Sequence, residues 1–255
     1  MSAKTMKFIL ANASHFKLYR PGVFLYGDVN LNMLITRYMN IAELLGMING
    51  YINIPMRMAF TDKLEHGIPH NTLAHCIKTH GKKTTYKDRL IWQSVHLNRQ
   101  EIKNWFTLCF SEELQERASF WNAFTRGSYG VLVETRLIDF ISAIDITNFN
   151  LYIGKIKYRD NVATHDLVDF AFTKETPYRD EKEIRIYLLP KTGKLEWAYE
   201  DGRSRYKMNF NFTPPIFTKI TLSPYIPVEI RKIFIKELFE SNKFNRNQLN
   251  ISKIH

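Results

Sequence analysis

Two carboxylates and an arginine lie close together in the segment Tyr178 to Tyr187, which reads Tyr-Arg-Asp-Glu-Lys-Glu-Ile-Arg-Ile-Tyr. In a β-strand, Glu181, Glu183 and Arg185 would share one face, while the isoleucines between them point into the core. Neighbouring carboxylates raise the pKa of one member of the pair, and an arginine can orient the other. Such a group can position a ribose hydroxyl or act as a general base. The alternative interpretation is an exposed strand face that carries a ladder of salt bridges.

Lysine and arginine are concentrated between Lys78 and Lys103, where seven basic residues stand against two acidic ones. The whole chain has a net charge of +11, and such a field favours polyanions. Basic side chains interleaved with Tyr86 and Trp92 are typical of a nucleic-acid interface, with charges for phosphates and rings for bases. The alternative is an ordinary solvated face. The residues predicted to contact nucleic acid are Lys82, Lys83, Lys87, Arg89 and Lys103.

Three other candidate sites are weaker. The histidines at 66, 70, 75 and 80 surround Cys76, but no recognised zinc spacing is present and Pro69 opposes a helix, so we predict no metal. Cys109 lies inside an apolar strand, where burial would make its thiol inert. The turn Arg126–Gly130 feeds a strand rather than a helix, which argues against a P-loop NTPase or a Rossmann dehydrogenase.

These residues must be positioned by a mixture of helices and strands. Asn40 with Glu43 resembles a capping box and predicts a helix that ends at Asn49-Gly50. A second helix is predicted to open at Ser111, and a third to be capped by Thr135. Strands are predicted over 51–54, 105–110, 131–133, 151–158, 183–189 and 217–222, with a C-terminal helix over 228–239. Since strands and helices do not alternate strictly, the pattern predicts an α+β fold with mixed or antiparallel sheets flanked by helices.

Composition sets the wider limits. The chain has 255 residues, 45% hydrophobic and 24% charged, values ordinary for a globular protein. No linker divides it, so we predict one domain over residues 1–255, with a basic excursion at about 66–104 and a polar tail at about 241–255 that frays. Two cysteines are too few for a disulfide framework. No apolar run approaches the ~18 residues of a membrane helix. We therefore expect a cytoplasmic protein without a membrane partner.

Several segments, taken in order, resemble a widespread prokaryotic and phage family that is known mainly as a domain of unknown function. The resemblance covers residues from about 35 to about 240. The chain departs from the family pattern at Thr61, Lys63 and Phe124, where members show Asn, Pro and Tyr. The segments that carry the resemblance are Ile35–Met39, Leu44–Pro55, Phe60–Glu65, Cys109–Ser111, Phe120–Phe124, Tyr129–Val133, Tyr152–Tyr158, Lys174 with Tyr178–Arg185, and Leu222–Pro224.

A second resemblance suggests an activity. The order Arg37, Ser111 and Glu181-x-Glu183 is similar to the Arg, Ser and Glu-x-Glu layout of ADP-ribosyltransferases. It implies that NAD is the substrate and that Arg37 binds its phosphates. It also implies that Ser111 orders Glu183, which would stabilise the ribosyl cation while Glu181 activates the acceptor. The usual Ser-Thr-Ser triplet is here Ser111-Glu112-Glu113.

The aromatic residues nearest these motifs supply a further expectation, that Tyr38 or Trp121 stacks on nicotinamide. Three hypotheses follow from the sequence. The first is an ADP-ribosyltransferase-like or NAD-cleaving enzyme, of the kind found among toxins and phage-defence effectors, with Arg185 orienting the acidic pair. The second is a nucleic-acid-binding protein or nuclease, and the third is a non-enzymatic member of a toxin–antitoxin or defence pair that binds an acidic partner.

Overall fold

The structure is a computed structural model that describes residues 15–56, 105–125, 129–160, 167–191, 199–200, 203–213, 216–240, 244, 246–252 and 254. Its strands are β1 (Phe16–Arg20), β2 (Val23–Tyr26), β3 (Leu34–Asn40), β4 (Tyr51–Pro55), β5 (Phe106–Ser111), β6 (Gly130–Arg136), β7 (Phe149–Lys155), β8 (Lys157–Tyr158), β9 (Thr173–Lys174), β10 (Glu183–Pro190), β11 (Tyr199–Glu200), β12 (Arg203–Asn209), β13 (Lys219–Leu222) and β14 (Leu249–Ile251). Its α-helices are α1 (Ile41–Ile48), α2 (Ala118–Thr125), α3 (Leu137–Ala143), α4 (Leu167–Ala171) and α5 (Val228–Glu240), and short 3-10 helices cover Thr176–Glu181 and Arg246–Gln248.

The described residues form two compact units, of which the first draws on the segments Met1–Val29, Ile54–Cys109 and Ile146–Tyr206. Its strands follow the order β1-β2-β7-β10-β5. β1 is antiparallel to β2, β2 is parallel to β7, and β7 is antiparallel to β10. The sheet of this unit is therefore mixed, and β10 is an interior strand with a neighbour on each side.

The second unit draws on Asn30–Asn53, Phe110–Asp145 and Lys207–His255. Within it β3 pairs with the end of β5 and with β6, β6 pairs with β13, and β13 runs parallel to β14. Helices α1 and α2 pack on β3, and α3 packs on β6. Mixed sheets flanked by helices confirm the predicted α+β class. The single-domain interpretation stays a prediction.

Helix α1 forms where the capping pattern predicts it. The side chain of Asn40 accepts a hydrogen bond from the backbone N–H of Glu43 at 2.7 Å, which satisfies one of the donors left open at a helix start. The helix ends at Ile48, and Gly50 follows with a φ of +90°, a conformation that glycine adopts without steric cost. Local sequence therefore sets both ends of this helix.

Two predicted helix starts are wrong. No helix opens at Ser111, because β5 ends there and the Ser111 hydroxyl accepts the Glu113 N–H at 3.0 Å in a turn; α2 begins only at Ala118. Thr135 does not cap α3, because its hydroxyl donates to the carbonyl of Ile216 at 2.6 Å. In both places a hydroxyl that resembled a cap serves a turn or a neighbouring segment instead.

The long strand predicted over residues 151–158 is divided at Ile156. The Ile156 N–H donates to the carbonyl of Glu183 at 2.9 Å. The Lys157 N–H donates instead to the carbonyl of Phe172 at 2.8 Å. The chain thus leaves its pairing with β10 and begins the short parallel pair of β8 with β9. This exchange of partners places Tyr158 and Lys174 opposite each other.

The C-terminal tail was predicted to fray, and this is wrong for part of it. Residues Leu249–Ile251 form β14, which pairs in parallel with β13. The Ser252 N–H continues the pairing by donating to the Leu222 carbonyl at 3.0 Å. The polar composition of the tail gave no signal for a strand. The strand forms because its backbone N–H and C=O groups pair with β13, which does not require apolar side chains.

The core of the first unit is largely aromatic. The rings of Tyr26, Phe172, Tyr187 and Trp105 pack with centroid separations of 4.8 to 5.3 Å. Gly154 on β7 leaves room for Phe172, since an added Cβ would lie 2.7 Å from the Phe172 ring. Within the described ranges, no helix has the length and apolar character that crossing a membrane requires.

Candidate functional site

Strand β10 is buried on both faces, which changes the environment of the predicted acidic pair. Glu183 and Arg185 were predicted to face either a site or solvent, yet their side chains are 3% and 1% exposed. Residues of both alternating sets of β10 are buried, and Ala171 and Lys174 from other elements contact the set that carries Glu183 and Arg185. The interpretation of an exposed salt-bridge ladder is therefore wrong.

The two buried charges form a bidentate pair. Arg185 donates from Nε to Glu183 Oε1 at 2.6 Å and from Nη2 to Oε2 at 2.8 Å. Its remaining nitrogen donates to the Ala171 carbonyl at 3.1 Å and to the Tyr187 hydroxyl at 3.2 Å. Burying ions is costly unless each is paired and hydrogen-bonded, and this arrangement meets both conditions.

Lys174 connects this pair to the second carboxylate. From β9, its Nζ donates to Glu181 Oε2 at 2.7 Å and to Glu183 Oε2 at 3.3 Å. The ammonium also lies 4.6 Å from the centroid of the Tyr178 ring, a cation–π distance. One buried cation therefore holds both members of the acidic pair. The acidic pair is thus Glu181 together with Glu183.

Glu181 does not lie on the strand, so the predicted common strand face is wrong for this residue. It is the last residue of the 3-10 helix Thr176–Glu181. Lys182 then adopts the left-handed conformation, with φ 44° and ψ 49°, before β10 starts at Glu183. Left-handed backbone is unfavourable for a residue with a side chain, so surrounding contacts must fix this turn.

The electrostatics keep Glu183 ionised. Burial by itself would raise its pKa, but the charges of Arg185 and Lys174, with hydrogen bonds from Arg185 and Cys109, hold that pKa well below its ordinary range. Burial would lower the pKa of Arg185, and the charge of Glu183 raises it instead. Burial also raises the pKa of Tyr158, whose hydroxyl accepts the Glu183 N–H at 2.8 Å. At neutral pH the site therefore holds a fixed anion.

Cys109 was predicted to be an inert residue of an apolar core, but its surroundings are more polar than an apolar core. It is partly exposed, and its thiol hydrogen-bonds to the carboxylate of Glu183. It reaches that carboxylate because β5 is the neighbour of β10. Cys109 therefore belongs to the polar surroundings of the acidic pair.

Arg37 and Ser111 lie in the second unit, on neighbouring strands. Arg37 donates from Nη2 to Glu43 at 2.8 Å, and its guanidinium carbon lies 5.7 Å from the ring centroid of Phe110. Ser111 pairs with Thr36, the residue before Arg37, so strand alternation puts the Ser111 and Arg37 side chains on opposite faces of the sheet. The structure therefore places these two predicted NAD-binding residues on neighbouring strands without bringing their side chains to one face, whereas it brings Glu181, Glu183 and Arg185 together in the first unit.

Tyr38 and Trp121 pack against each other rather than presenting open ring faces. Trp121 is fully buried, and its ring meets that of Tyr38 edge to face at 4.8 Å. The Tyr38 hydroxyl accepts the Arg117 N–H at 3.0 Å, and Phe120 closes the cluster. Stacking of either ring on nicotinamide would require this packing to open.

The predicted nucleic-acid residues Lys82, Lys83, Lys87, Arg89 and Lys103 lie outside the described residues, as do the four clustered histidines and Cys76. Among the residues that are described, no three His, Cys, Asp or Glu side chains are grouped as metal ligands would be.

Sequence reasoning gave no role to Lys174, Tyr158 or Cys109. Lys174 stands seven residues before Glu181, and no periodicity connects the two. The one local signal was that Lys174 precedes a Pro-containing segment, which predicts a turn back towards β10. The contacts of Tyr158 and Cys109 depend on which strands become neighbours.

Comparison with known proteins adds no relative, because the chain matches no family model, no curated protein and no solved structure.

Proposed function

We propose that the chain is an enzyme that cleaves NAD, with the character of an ADP-ribosyltransferase. The observation that supports this most is the acidic pair, in which a buried Glu183 is ionised, oriented by Arg185 and joined to Glu181 through Lys174. Loss of nicotinamide leaves positive charge on the ribose, as in glycoside hydrolysis. Fixed anions that already face such a charge need no reorganisation as the reaction proceeds, and this lowers the barrier.

The chemistry balances with water alone. The bond between the nicotinamide nitrogen and ribose C1′ breaks, and its electron pair leaves with nicotinamide. Water, or the nucleophile of an acceptor, then forms the new bond to C1′ and releases one proton. A carboxylate of the acidic pair can accept that proton, which is the ordinary role of a general base. The resemblance assigns Arg37 and Ser111 to NAD binding, and that assignment stays a prediction.

The test measures nicotinamide release from NAD by the full-length protein, with and without cell extract as a source of acceptor. We expect release by the wild type and loss of about 100-fold or more in the double variant Glu181→Gln/Glu183→Gln. Glu229→Gln is the matched control, because Glu229 is an exposed carboxylate on α5. Absence of both NAD binding by calorimetry and nicotinamide release would overturn the proposed function.

A second candidate function is nucleic-acid binding, which the net charge of +11 favours. The basic segment Lys78 to Lys103 carries five of those excess charges, as seven basic residues less two acidic ones. Phosphate neutralisation by such a segment gives binding that weakens steeply with salt. The salt dependence of binding to oligonucleotides tests it.

A further inference from the structure

The two carboxylates of the acidic pair are not equivalent. Glu183 has both oxygens engaged by Arg185, and Oε2 also receives Lys174, while the Cys109 thiol contributes a further hydrogen bond. Its side chain is 3% exposed. A reacting ribose or a nucleophilic water would have to displace these buried contacts to reach it.

Glu181 is more accessible than Glu183. Its side chain is 18% exposed, against 4% for Lys174, which donates to its Oε2. It lies at the end of the 3-10 helix, and the left-handed Lys182 separates it from the buried strand. After this turn Glu181 lies nearer the surface than Glu183, yet the carboxylates of both residues accept hydrogen bonds from the Lys174 ammonium.

We infer that Glu181, rather than Glu183, is the catalytic residue that meets the ribose or its nucleophile, and that Lys174 is the positioning residue that holds Glu181 in place. This inference rests on the proposed function. It reverses the roles that the resemblance to ADP-ribosyltransferases implies, in which the second glutamate serves the ribosyl cation. Glu183 and Arg185 then have a structural role, as the buried ion pair against which Lys174 is held.

The charges around the acidic pair make this division of roles testable. Lys174 approaches from β9, Arg185 from β10, Tyr158 from β8, Tyr178 from the 3-10 helix and Cys109 from β5. The two carboxylates, Lys174 and Arg185 sum to zero charge when all are ionised. Removing the ammonium leaves one excess negative charge, and because Glu183 keeps its pairing with Arg185, proton uptake is favoured at Glu181.

The experiment compares kcat, the NAD dissociation constant and the pH–rate profile for four variants. We expect Glu181→Gln to lower kcat by about 100-fold or more while thermal stability and NAD affinity stay near wild type. Lys174→Met should lower kcat by roughly 10-fold and move the acidic limb of the profile to higher pH, whereas Lys174→Arg should restore most of the rate. Lys157→Met, which removes a lysine paired with Asp169 in the same unit, is the control and should leave kcat and the profile unchanged.

Three results separate failure of this inference from failure of the proposed function. A wild type that cleaves NAD, together with Glu181→Gln at wild-type kcat, would overturn the inference alone. A Lys174→Met variant that loses stability but keeps the wild-type pH profile would also overturn it, because Lys174 would then be structural only. A wild type that neither binds nor cleaves NAD overturns the proposed function, and the inference with it.

Discussion

Among the individual residues of the first unit, Glu183 and Arg185 are charged, paired and almost fully buried. Both ions are removed from water, and their free energy depends on the hydrogen bonds that each makes to the other. Removing one partner of a buried pair costs about 3–5 kcal/mol, while replacing both with apolar residues is often close to neutral. The pair therefore restricts substitution more strongly than it stabilises the fold.

Arg185→Met should lower the free energy of unfolding by about 3–5 kcal/mol, because among the described residues Glu183 then keeps Lys174 alone as a cationic partner. The double variant Arg185→Met/Glu183→Leu should recover part of that loss. Urea unfolding followed by circular dichroism measures both. Equal losses in the single and double variants would show that side-chain packing, rather than an unpaired charge, is responsible.

Stability should also depend on pH through Glu183. Its folded pKa lies below the ordinary value of 4.5, so its contribution is complete above about pH 5 and is lost as the pH falls towards the folded value. Scanning calorimetry between about pH 2 and pH 7 should therefore show a steeper decline in Tm for the wild type than for Glu183→Gln. Parallel curves for the two proteins would contradict this assignment.

At the scale of elements, the position of a strand within the sheet decides what its residues can do. β10 has neighbours on both sides and is buried on both faces, so its charged residues had to find partners inside the protein. β14 is paired only with β13 among the described strands, and Ile251 on it is 45% exposed. Interior and edge strands therefore differ in the sequences they tolerate.

Deleting residues 249–255 should lower Tm by about 5 °C or more, because β13 loses the backbone partners that β14 and Ser252 supply. The control is Ile251→Thr, which changes an exposed side chain and keeps the backbone pairing. Thermal unfolding of the two variants beside the wild type measures the difference. An unchanged Tm in the truncated chain would mean that this strand contributes nothing to stability.

At the scale of the whole molecule, the net charge of +11 predicts attraction to polyanions before any specific contact forms. If the chain binds nucleic acid, the logarithm of its affinity should fall linearly with the logarithm of salt concentration. The variant Lys82→Gln/Lys83→Gln/Lys87→Gln should reduce that slope by about 0.9 for each duplex phosphate that the protein no longer neutralises.

The control for this measurement is Lys232→Gln/Lys236→Gln, which removes two charges from the exposed side of α5. Fluorescence anisotropy with single- and double-stranded oligonucleotides at several salt concentrations gives the slopes. Identical slopes in the two variants would indicate a diffuse charge effect without a localised interface. Absence of binding at low salt would remove this candidate function.

Elements with local signals could be predicted from the amino-acid sequence. The side chain of Asn40 and the residues after it specify α1, and the alternation after Glu183 specifies β10. It also drew attention to Glu181, Glu183 and Arg185, which do lie in one cluster. Local patterns were sufficient here because capping and strand alternation involve residues only a few positions apart.

The environment of that cluster depends on contacts between distant parts of the chain. Packing of the segment that contains Ala171 and Lys174 against β10 buried Glu183 and Arg185, and the pairing of β8 with β9 accompanies the position of Lys174 beside both carboxylates. Strand order results from contacts between distant parts of the chain, and those contacts leave no spacing in the sequence. These long-range contacts determine whether a charged side chain is exposed or buried and which partner it contacts.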